Sequence, residues 1–338
     1  MTTLIAGGCG FIGLNTAEAC LAAGEDVVLL DRNEPPAAAA TAFAALPGSW
    51  RHAAVDITDA AQVARVFAEH TVHEVYYGAA ITSGPDRERE HPEQVIGVNL
   101  LGLTHVIKAA ASAGVRRMIN ISSGSAYGDG GFAHSGATAP LDEYATRPLP
   151  SSLYSVTKLA SEGVCRRLAE LTELDVLSVR LAVIFGPWEL DSGFRDTLSA
   201  PMQAAVIALA GGSASVVRRD ARDWTYSRDV ATALRVLMAA PKHNDDVYHI
   251  SAGRTCSMLD WGAALAKHFP GFSCRLCDTA ETPNVNLHGD HDRLLMSPQR
   301  LTNDIGHTVP NDIDAIAANF AQWIKTYPNY WTPKRSGP

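Results

Sequence analysis

The chain has 338 residues, of which 46% are hydrophobic and 19% are charged, and its formal net charge is −8 at pH 7. This length and composition are those of a soluble globular protein with about two domains and a large core. The acidic balance and the lack of a basic run argue against nucleic acid or an anionic membrane as the main partner.

The N-terminus and the cysteines bear on location and metal binding. We identify no apolar stretch of membrane-spanning length and no room for a secretory leader before the first strand, so we expect a cytoplasmic protein. Six cysteines are scattered along the chain, and only Cys274 and Cys277 have a C-x-x-C spacing. Without a second pair they are expected to be free thiols. The histidine- and aspartate-containing segment 288–292 is expected to be a polar loop, so no metal is predicted.

Strand and helix patterns alternate through the first half of the chain. Short apolar runs predict six strands, at 4–6, 27–30, 53–55, 74–77, 117–121 and 176–181. Helical periodicity predicts the helices between them, at 11–21, 37–46, 60–69, 92–113 and 153–172. Such alternation indicates an α/β fold with a doubly wound parallel sheet.

The alternation breaks down beyond Gly186-Pro187. Helices are predicted near 196–209, 229–238, 258–268 and 313–325, and short strands at 216–217 and 247–250. We therefore predict two domains. The first comprises residues 1–180, with 218–250 returning to its sheet, and the second is a smaller α/β substrate lobe of 181–217 and 251–330.

Three glycines spaced three apart follow the first predicted strand. Gly7 suits a sharp turn, Gly10 lets the backbone approach a phosphate, and Gly13 lets the next helix pack closely on its strand. The positive end of that helix would then face a pyrophosphate. The pattern alone is weak, because a flexible glycine turn has the same spacing.

Asp31 ends the second predicted strand, where an acidic residue binds the hydroxyls of an adenine ribose. Its carboxylate would repel the 2′-phosphate of NADP, which favours NAD. Arg32 weakens this preference, since an arginine can accommodate that phosphate. In a random sequence Asp31 would be a surface residue that closes a strand, but its combination with Gly7, Gly10 and Gly13 in a predicted strand–turn–helix favours the ribose-binding role.

Tyr154 and Lys158 are four residues apart on one predicted helix, so their side chains share a face. A nearby ammonium lowers the pKa of a phenol from its usual value of about 10, which lets Tyr154 act as a base toward a substrate hydroxyl. Ser123 ends the fifth strand, at the edge where parallel sheets bind ligands, and is predicted to orient the substrate.

The joint pattern resembles the extended short-chain dehydrogenase/reductases, also called the NAD-dependent epimerase/dehydratase family. The residues that carry the resemblance are the three glycines, Asp31, Asp56-Ile57, Ser123, Tyr127-Gly128, Tyr154, Lys158, Arg180, Gly186-Pro187 and the run 222–230. It covers essentially the whole chain and implies a Rossmann domain that binds NAD and a lobe that binds a sugar-like substrate. Helices near 100–113 and 154–171 would form a four-helix homodimer interface.

The resemblance also implies residue roles. Tyr154 would be the general acid/base, Ser123 would bond the reacting oxygen, and Lys158 would hold the nicotinamide ribose. The implied cofactor-binding residues are Gly7, Gly10, Phe11, Ile12, Gly13, Asp31, Arg32, Asp56, Ile57, Gly78, Ala79, Ala80, Asn99, Ile121, Tyr154, Lys158, Leu181 and Val183. The predicted substrate-binding residues are Thr82, Ser123, Ser125, Arg195 and Arg222.

Some positions depart from the family pattern. Ala6 replaces a usual threonine, and Val183 stands where nucleotide-sugar enzymes usually carry an asparagine that bonds the diphosphate. Gly124 and Ser125 stand where 4,6-dehydratases have an acidic pair.

Arg195 and Arg222 can hold a carboxylate or a phosphate by paired donors. Alternatively, each pairs with a neighbouring aspartate, Asp196 or Asp223.

The leading hypothesis is an NAD-dependent oxidoreductase that acts on a secondary hydroxyl of a sugar, sugar acid or similar polyol. A nucleotide-sugar epimerase with tightly bound NAD uses the same catalytic residues and is the alternative. A non-catalytic NAD-sensing protein is the third hypothesis, and the intact set of Ser123, Tyr154 and Lys158 argues against it.

Overall fold

The computed structural model describes residues 1–128, 131, 139–190, 198–278, 281–287, 291–328 and 330. These residues form eleven strands: β1 Thr2–Ala6, β2 Asp26–Asp31, β3 Trp50–Ala54, β4 Glu74–Tyr77, β5 Arg117–Ser123, β6 Asp175–Leu181, β7 Val183–Phe185, β8 Ala214–Val216, β9 Trp224–Tyr226, β10 Val247–Ile250 and β11 Cys274–Leu276.

Twelve α-helices are formed by the same described residues: α1 Phe11–Ala22, α2 Ala37–Phe43, α3 Ala60–Glu69, α4 Pro85–Glu90, α5 Pro92–Ile96, α6 Leu103–Ser112, α7 Leu153–Thr172, α8 Ala200–Leu209, α9 Ser227–Ala239, α10 Met258–Ala266, α11 Gln299–Ile305 and α12 Ile313–Thr326. A π-helical turn, Gly97–Gly102, joins α5 to α6, and a 3₁₀ turn, Gly124–Tyr127, follows β5.

Seven strands form one parallel sheet in the order β10-β6-β5-β4-β1-β2-β3. Its inner strands are buried on both faces, as expected for a parallel sheet covered by helices on each side, whereas the edge strand β3 has no fully buried residue. Leu4 and Ile5 are both fully buried and point into different apolar clusters. The predicted doubly wound Rossmann sheet is confirmed.

The direction of winding reverses between β1 and β4, which are neighbours in the sheet but not in the chain. Ala6 pairs with both Leu30 and Tyr77, so β1, β2 and β4 end at the same level. The glycine loop, Asp31 and Gly78 therefore come out at one edge of the sheet. This is where open α/β sheets bind their ligands.

The smaller lobe is built from two short parallel pairs, β7 with β9 and β8 with β11, together with α8, α10 and α12. Its core is rich in aromatic rings. The ring centres of Phe185 and Trp261 lie 4.9 Å apart, and those of Phe320 and Trp323 lie 6.0 Å apart. Strand β10, at the end of the segment predicted to return, pairs with β6 in the main sheet.

The helix predicted at 92–113 is interrupted by the π-helical turn, which the hydrophobic spacing does not reveal. Gly102 lies in this turn, and a Cβ atom there would come within 2.7 Å of Ile57 Cγ2. The absence of a side chain at Gly102 therefore allows the turn to approach Ile57, in the segment after β3, this closely. The extra residue of a π turn also changes which side chains face the sheet, and Asn99 is buried here.

The continuous helical run Pro92–Ser112 is long and apolar enough to cross a membrane when judged by length and composition. The sequence analysis identified no such stretch, because polar side chains interrupt the apolar ones. One side of the run packs inside the protein, where Val95, Val106 and Ile107 are fully buried.

Several short elements were not predicted. Strands β7, β9 and β11 have three residues each and are stabilised by pairing with distant segments. Helices α4 and α11 were also missed, and strand β8 occupies 214–216 rather than 216–217. Helix α8 begins at Ala200, and residues 191–197, where the predicted helix begins, lie outside the described part of the chain.

Candidate active site

A cavity of about 920 Å³ lies at the carboxyl ends of β1, β2, β4 and β5 and extends to the smaller lobe. Except for Asn99 and Arg195, the residues predicted to bind cofactor or substrate line it. Arg195 lies outside the described residues. The structure thus brings the glycine loop, the catalytic candidates and Arg222 to a single cavity.

The glycine loop is shaped by contacts that leave no space for side chains. Gly7 has a φ of +74°, and a Cβ atom on it would lie 2.6 Å from Ala79 N. A Cβ atom on Gly13 would lie 2.2 Å from Gly7 O. Gly10 is the N-cap of α1, and among the described residues no side chain caps that helix. The loop therefore presents backbone and a helix N-terminus to the cavity, an arrangement suited to a pyrophosphate.

Asp31 braces this loop as well as lining the cavity. Its Oδ2 accepts a hydrogen bond of 3.1 Å from the Cys9 amide, and its Oδ1 accepts one of 3.0 Å from the Asn33 amide. The carboxylate is thereby fixed beside the glycine loop, in the position where it can accept hydrogen bonds from ribose hydroxyls. Arg32 lines the same end of the cavity.

Asn99 is buried behind the cavity wall instead of lining the cavity. Its Oδ1 accepts a hydrogen bond of 2.8 Å from the Ile81 amide, and its Nδ2 donates to Ile81 O at 3.2 Å. Nδ2 also donates to Thr157 Oγ1 at 2.9 Å, which links the wall to α7. Asn99 is thus not among the residues that line the cavity, and its contact with the cofactor stays a prediction from the sequence. Asn99 fixes the loop after β4, whose residues Ala79 and Ala80 line the cavity.

The catalytic candidates come from the end of β5 and the start of α7. Helix α7 begins with a capping box between Ser152 and Ser155, so its first turn is well defined. The Nζ atom of Lys158 lies 5.7 Å from the centre of the Tyr154 ring. Ser123 Oγ accepts a hydrogen bond of 3.1 Å from the Ser125 amide. All three side chains line the cavity.

Lys158 is the buried member of the set. Its Nζ donates a hydrogen bond of 2.7 Å to Ile121 O, on the strand that leads to Ser123. Burial lowers the pKa of Lys158 from its usual 10.5 to about 8. The side chain therefore still carries its positive charge at neutral pH, where it can stabilise a phenolate.

Arg222 lines the cavity, and its guanidinium is paired with an aspartate other than the two proposed from the sequence. Its Nε donates to Asp220 Oδ1 at 2.7 Å, and its Nη2 donates to Leu287 O at 2.5 Å. Asp223 lies next to it in the sequence and is bonded elsewhere, to the hydroxyls of Ser251 and Thr225. Arg222 therefore forms the expected ion pair, but with Asp220 instead of Asp223.

Sequence reasoning missed several residues of the lobe side of the cavity. Arg293, Leu294 and Met296 line it, and the Met296 segment pairs with Leu141. A Cβ atom on Gly124 would lie 2.7 Å from Met296 Sδ, so the glycine makes room for the methionine. No local sequence pattern marks these residues, because they reach the cavity through contacts between distant segments.

Asp223 also lines the cavity and is almost completely buried. Burial raises its pKa to about 6, although the hydroxyls of Ser251 and Thr225 act in the opposite direction. The sequence analysis noted this residue only as part of a family motif and as an ion-pair candidate. No group of three or more His, Cys, Asp or Glu side chains suited to a metal ion occurs in the described part of the chain.

Comparison with known proteins places this site in a family. A sequence model of the NAD dependent epimerase/dehydratase family matches residues 3–253. A dTDP-glucose 4,6-dehydratase of Xanthomonas campestris pv. campestris is 32% identical over 251 residues, which cover 70% of this chain and 68% of the relative. A UDP-glucose 4-epimerase of Mycolicibacterium smegmatis is 27% identical over 269 residues, covering 79% and 82%.

The fold is also found in solved structures. The crystal structure of a Thermus thermophilus UDP-glucose 4-epimerase in complex with NAD superimposes with a TM-score of 0.76. It is 24% identical in sequence, and the match covers 96% of this chain and 99% of that one. The family match and the 32% identical relative show that the chain is an NAD-dependent enzyme and belongs to the NAD dependent epimerase/dehydratase family.

Proposed function

We propose that the chain is an oxidoreductase that transfers a hydride between NAD and a secondary hydroxyl of a sugar, sugar acid or similar polyol. One observation carries the proposal. Ser123, Tyr154 and Lys158 line the same cavity as the glycine loop and Asp31. A cofactor-binding edge and a proton-transfer group thus meet at one place, as hydride transfer from an alcohol requires.

The cofactor end of the cavity fits NAD. A backbone cradle that a Cβ atom at Gly7 would fill lies at the N-terminus of α1, and Asp31 is held next to it. We assign the pyrophosphate to the glycine loop and the adenine ribose to Asp31. The carboxylate disfavours the extra phosphate of NADP. When bound, NAD supplies the carbon that accepts the hydride.

Tyr154 is the proposed base. In the oxidation direction, its phenolate takes the proton of the substrate hydroxyl while the substrate C–H bond breaks and its electron pair leaves as hydride. The product is a ketone or a lactone. The buried ammonium of Lys158 stabilises the phenolate by its charge. Because Ser123 Oγ already accepts from the Ser125 amide, its own proton is available for the reacting oxygen.

The lobe end of the cavity is the proposed substrate site. Thr82, Ser125 and Arg222, which we propose to bind the substrate, line the cavity, and Arg293 adds a second guanidinium to its wall. Such groups suit a polyhydroxylated substrate that carries a carboxylate or a phosphate. A role for Arg195 stays a prediction from the sequence.

A nucleotide-sugar epimerase is the second candidate, and the epimerase and dehydratase relatives support it. One observation favours a dehydrogenase instead, because Val183 lines the cavity without the carboxamide that nucleotide-sugar enzymes usually place there. Gly124 bears on 4,6-dehydration and not on epimerisation, since it brings no side chain where dehydratases have an acidic pair, and Met296 lies beside it.

The test is a panel assay of the purified protein with NAD and sugars, sugar acids and nucleotide sugars. A dehydrogenase accumulates reduced nicotinamide in solution, read by its absorbance, with a sugar or sugar acid. An epimerase converts a nucleotide sugar to its isomer with no net reduced cofactor. Formation of the sugar isomer without accumulation of reduced nicotinamide would therefore favour the epimerase over the dehydrogenase.

We also propose a homodimer through the α5–α6 run and α7. These helices expose Ile96, Leu101 and Val156, with exposed fractions of 45%, 49% and 44%. Gly163 on α7 has open space around its Cβ position. Apolar side chains on two neighbouring helices are suited to pairing with the same helices of a second copy.

A further inference from the structure

Beneath the cavity, a buried carboxylate joins the catalytic helix to two strands. Glu162 lies one helical turn after Lys158 on α7 and is 5% exposed. Its Oε1 accepts from Arg180 Nε at 2.9 Å and from Ser122 Oγ at 2.7 Å. Its Oε2 accepts from Arg180 Nη2 at 2.7 Å. Glu162 thereby ties α7 to β6 and to β5, next to Ser123.

The partner guanidinium is equally well fixed. Arg180 is 4% exposed, and its Nη1 donates to the Tyr127 hydroxyl at 2.8 Å and to Glu143 O at 3.1 Å. Neither Glu162 nor Arg180 lines the cavity, so neither can touch substrate or cofactor. Any effect on the reaction must pass through Lys158 or through the Ser122–Ser123 segment.

We propose that Glu162 is a positioning residue that sets the charge and the place of the Lys158 ammonium. This inference rests on the proposed function only in giving Lys158 a role in turnover. The geometry supplies the position, since Lys158 Nζ donates to Ile121 O on the same strand whose Ser122 bonds Glu162. The helix and the strand are thus joined at two successive turns.

The charges around Lys158 support the same role. Glu162 and Cys165 on α7 act on the pKa of Lys158, the Tyr154 ring centre lies 5.7 Å from its Nζ, and Arg180 on β6 is bonded to Glu162. Cys165 is a neutral thiol, because burial raises its pKa to about 12. Glu162 is therefore the buried anion on α7 that offsets two cations, Lys158 and Arg180.

Replacing Glu162 and replacing Arg180 should shift the pKa of Lys158 in opposite directions. In Glu162→Gln the Arg180 cation is left without its counter-ion, so Lys158 should release its proton about one pH unit earlier. In Arg180→Gln the Glu162 anion remains with Lys158, which should then hold its proton to higher pH. A merely loosened structure would not produce two shifts of opposite sign.

The chain offers a matched control at the other end of the same strands. Arg117 at the start of β5 donates to Asp175 at the start of β6, with an Nε–Oδ2 distance of 2.7 Å. Asp175→Asn removes the carboxylate of an arginine–carboxylate ion pair that joins the same two strands, at the end of the sheet away from the cavity. It should leave the titration of Lys158 unchanged.

The readout is the titration of Lys158 by NMR in protein labelled with ¹³C-lysine, assigned through Lys158→Met among the six lysines of the chain. This measurement needs no substrate. The expected result is an acid shift in Glu162→Gln, an alkaline shift in Arg180→Gln and no shift in Asp175→Asn or in the conservative Glu162→Asp. A shift of the same sign in both charge variants, or none in either, would overturn the proposal.

The alkaline limb of the pH profile of kcat then separates this inference from the proposed function. If the protein is active, the pH at which kcat decreases should shift in each variant by the same amount as the pKa of Lys158 measured by NMR. If the NMR shifts occur in a protein that turns over none of the panel substrates, the Glu162 inference stands and the proposed function fails. Should Glu162→Gln not fold, Arg180→Gln carries the test, because an unshifted titration of Lys158 in that variant also contradicts the proposal.

Discussion

Replacing Gly7 by alanine tests the proposed phosphate cradle, because the new Cβ atom meets two separate obstacles. The first is the backbone angle, since a left-handed φ of +74° costs an alanine about 1–2 kcal/mol. The second is crowding. The Cβ atom would lie 2.6 Å from Ala79 N, whereas an unstrained contact is about 3.5 Å, so the loops must separate by about 0.9 Å.

Gly24→Ala is the matched control. Gly24 has a φ of +81°, close to that of Gly7, but nothing lies within 4 Å of its Cβ position. The control therefore pays the backbone strain without the crowding. Both substitutions also reduce the freedom of the unfolded chain by the same amount, so this effect cancels in the comparison.

We expect Gly24→Ala to lower the free energy of unfolding by about 1–2 kcal/mol and to leave the Kd for NAD unchanged. Gly7→Ala should lose more stability, and its Kd for NAD should rise at least about tenfold, which corresponds to 1.4 kcal/mol. Chemical unfolding without ligand gives the first quantity, and isothermal titration calorimetry gives the second. Equal NAD affinity in the two variants would refute the placement of the dinucleotide against the glycine loop.

Three further predictions address selectivity, pH dependence and assembly. Asp31→Ser should lower the preference for NAD over NADP, because it removes the repulsion of the 2′-phosphate; an unchanged ratio of the two Kd values would contradict this. Turnover should fall as the pH rises through about 8, where Lys158 loses its proton. Across the same window, up to about 10.5, the unfolded chain binds the proton that the folded chain has released, so Lys158 makes folding more favourable with rising pH. A pH profile with no loss above 8 would contradict the role of the ammonium. Leu101→Glu should convert the proposed dimer to a monomer in analytical ultracentrifugation, since it places a charge on the exposed apolar face; a dimer that persists would place the interface elsewhere.

Most of the sheet was predictable from the sequence because its inner strands are buried on both faces. Such strands appear as short continuous apolar runs, and glycines and prolines mark their ends. The run at 4–6 and its glycine loop are the clearest example. The proximity of Tyr154 and Lys158, the proposed catalytic pair, was predictable because they share one helix, so a local spacing fixes their relation.

The missing parts depend on contacts between distant segments. Strand β7 has three residues and exists by pairing with β9, about forty residues later. The pairing of Arg222 with Asp220 is a local contact, but it occurs at a left-handed backbone angle, a φ of +52° at Asp220, that the sequence does not indicate. Neither feature has a periodic signal. The π-helical turn that contains the buried Asn99 was likewise not predictable from apolar spacing.

The residues on the lobe side of the cavity were the least predictable from the sequence. Met296 reaches the site because its segment pairs with Leu141, more than 150 residues earlier. The absence of a side chain at Gly124 was noticed in the sequence as a departure from the dehydratase pattern. The structure adds the reason, which is that the methionine occupies the space.

The central claim is that Tyr154 moves the proton while the substrate hydride is transferred. The most direct measurement is a single-turnover rate of hydride transfer in wild-type and Tyr154→Phe protein, with the Kd for NAD measured in parallel. We expect the rate to fall by about 10²- to 10⁴-fold, the usual contribution of general acid–base catalysis, while the Kd stays nearly unchanged. A variant that transfers hydride as fast as the wild type would contradict the account.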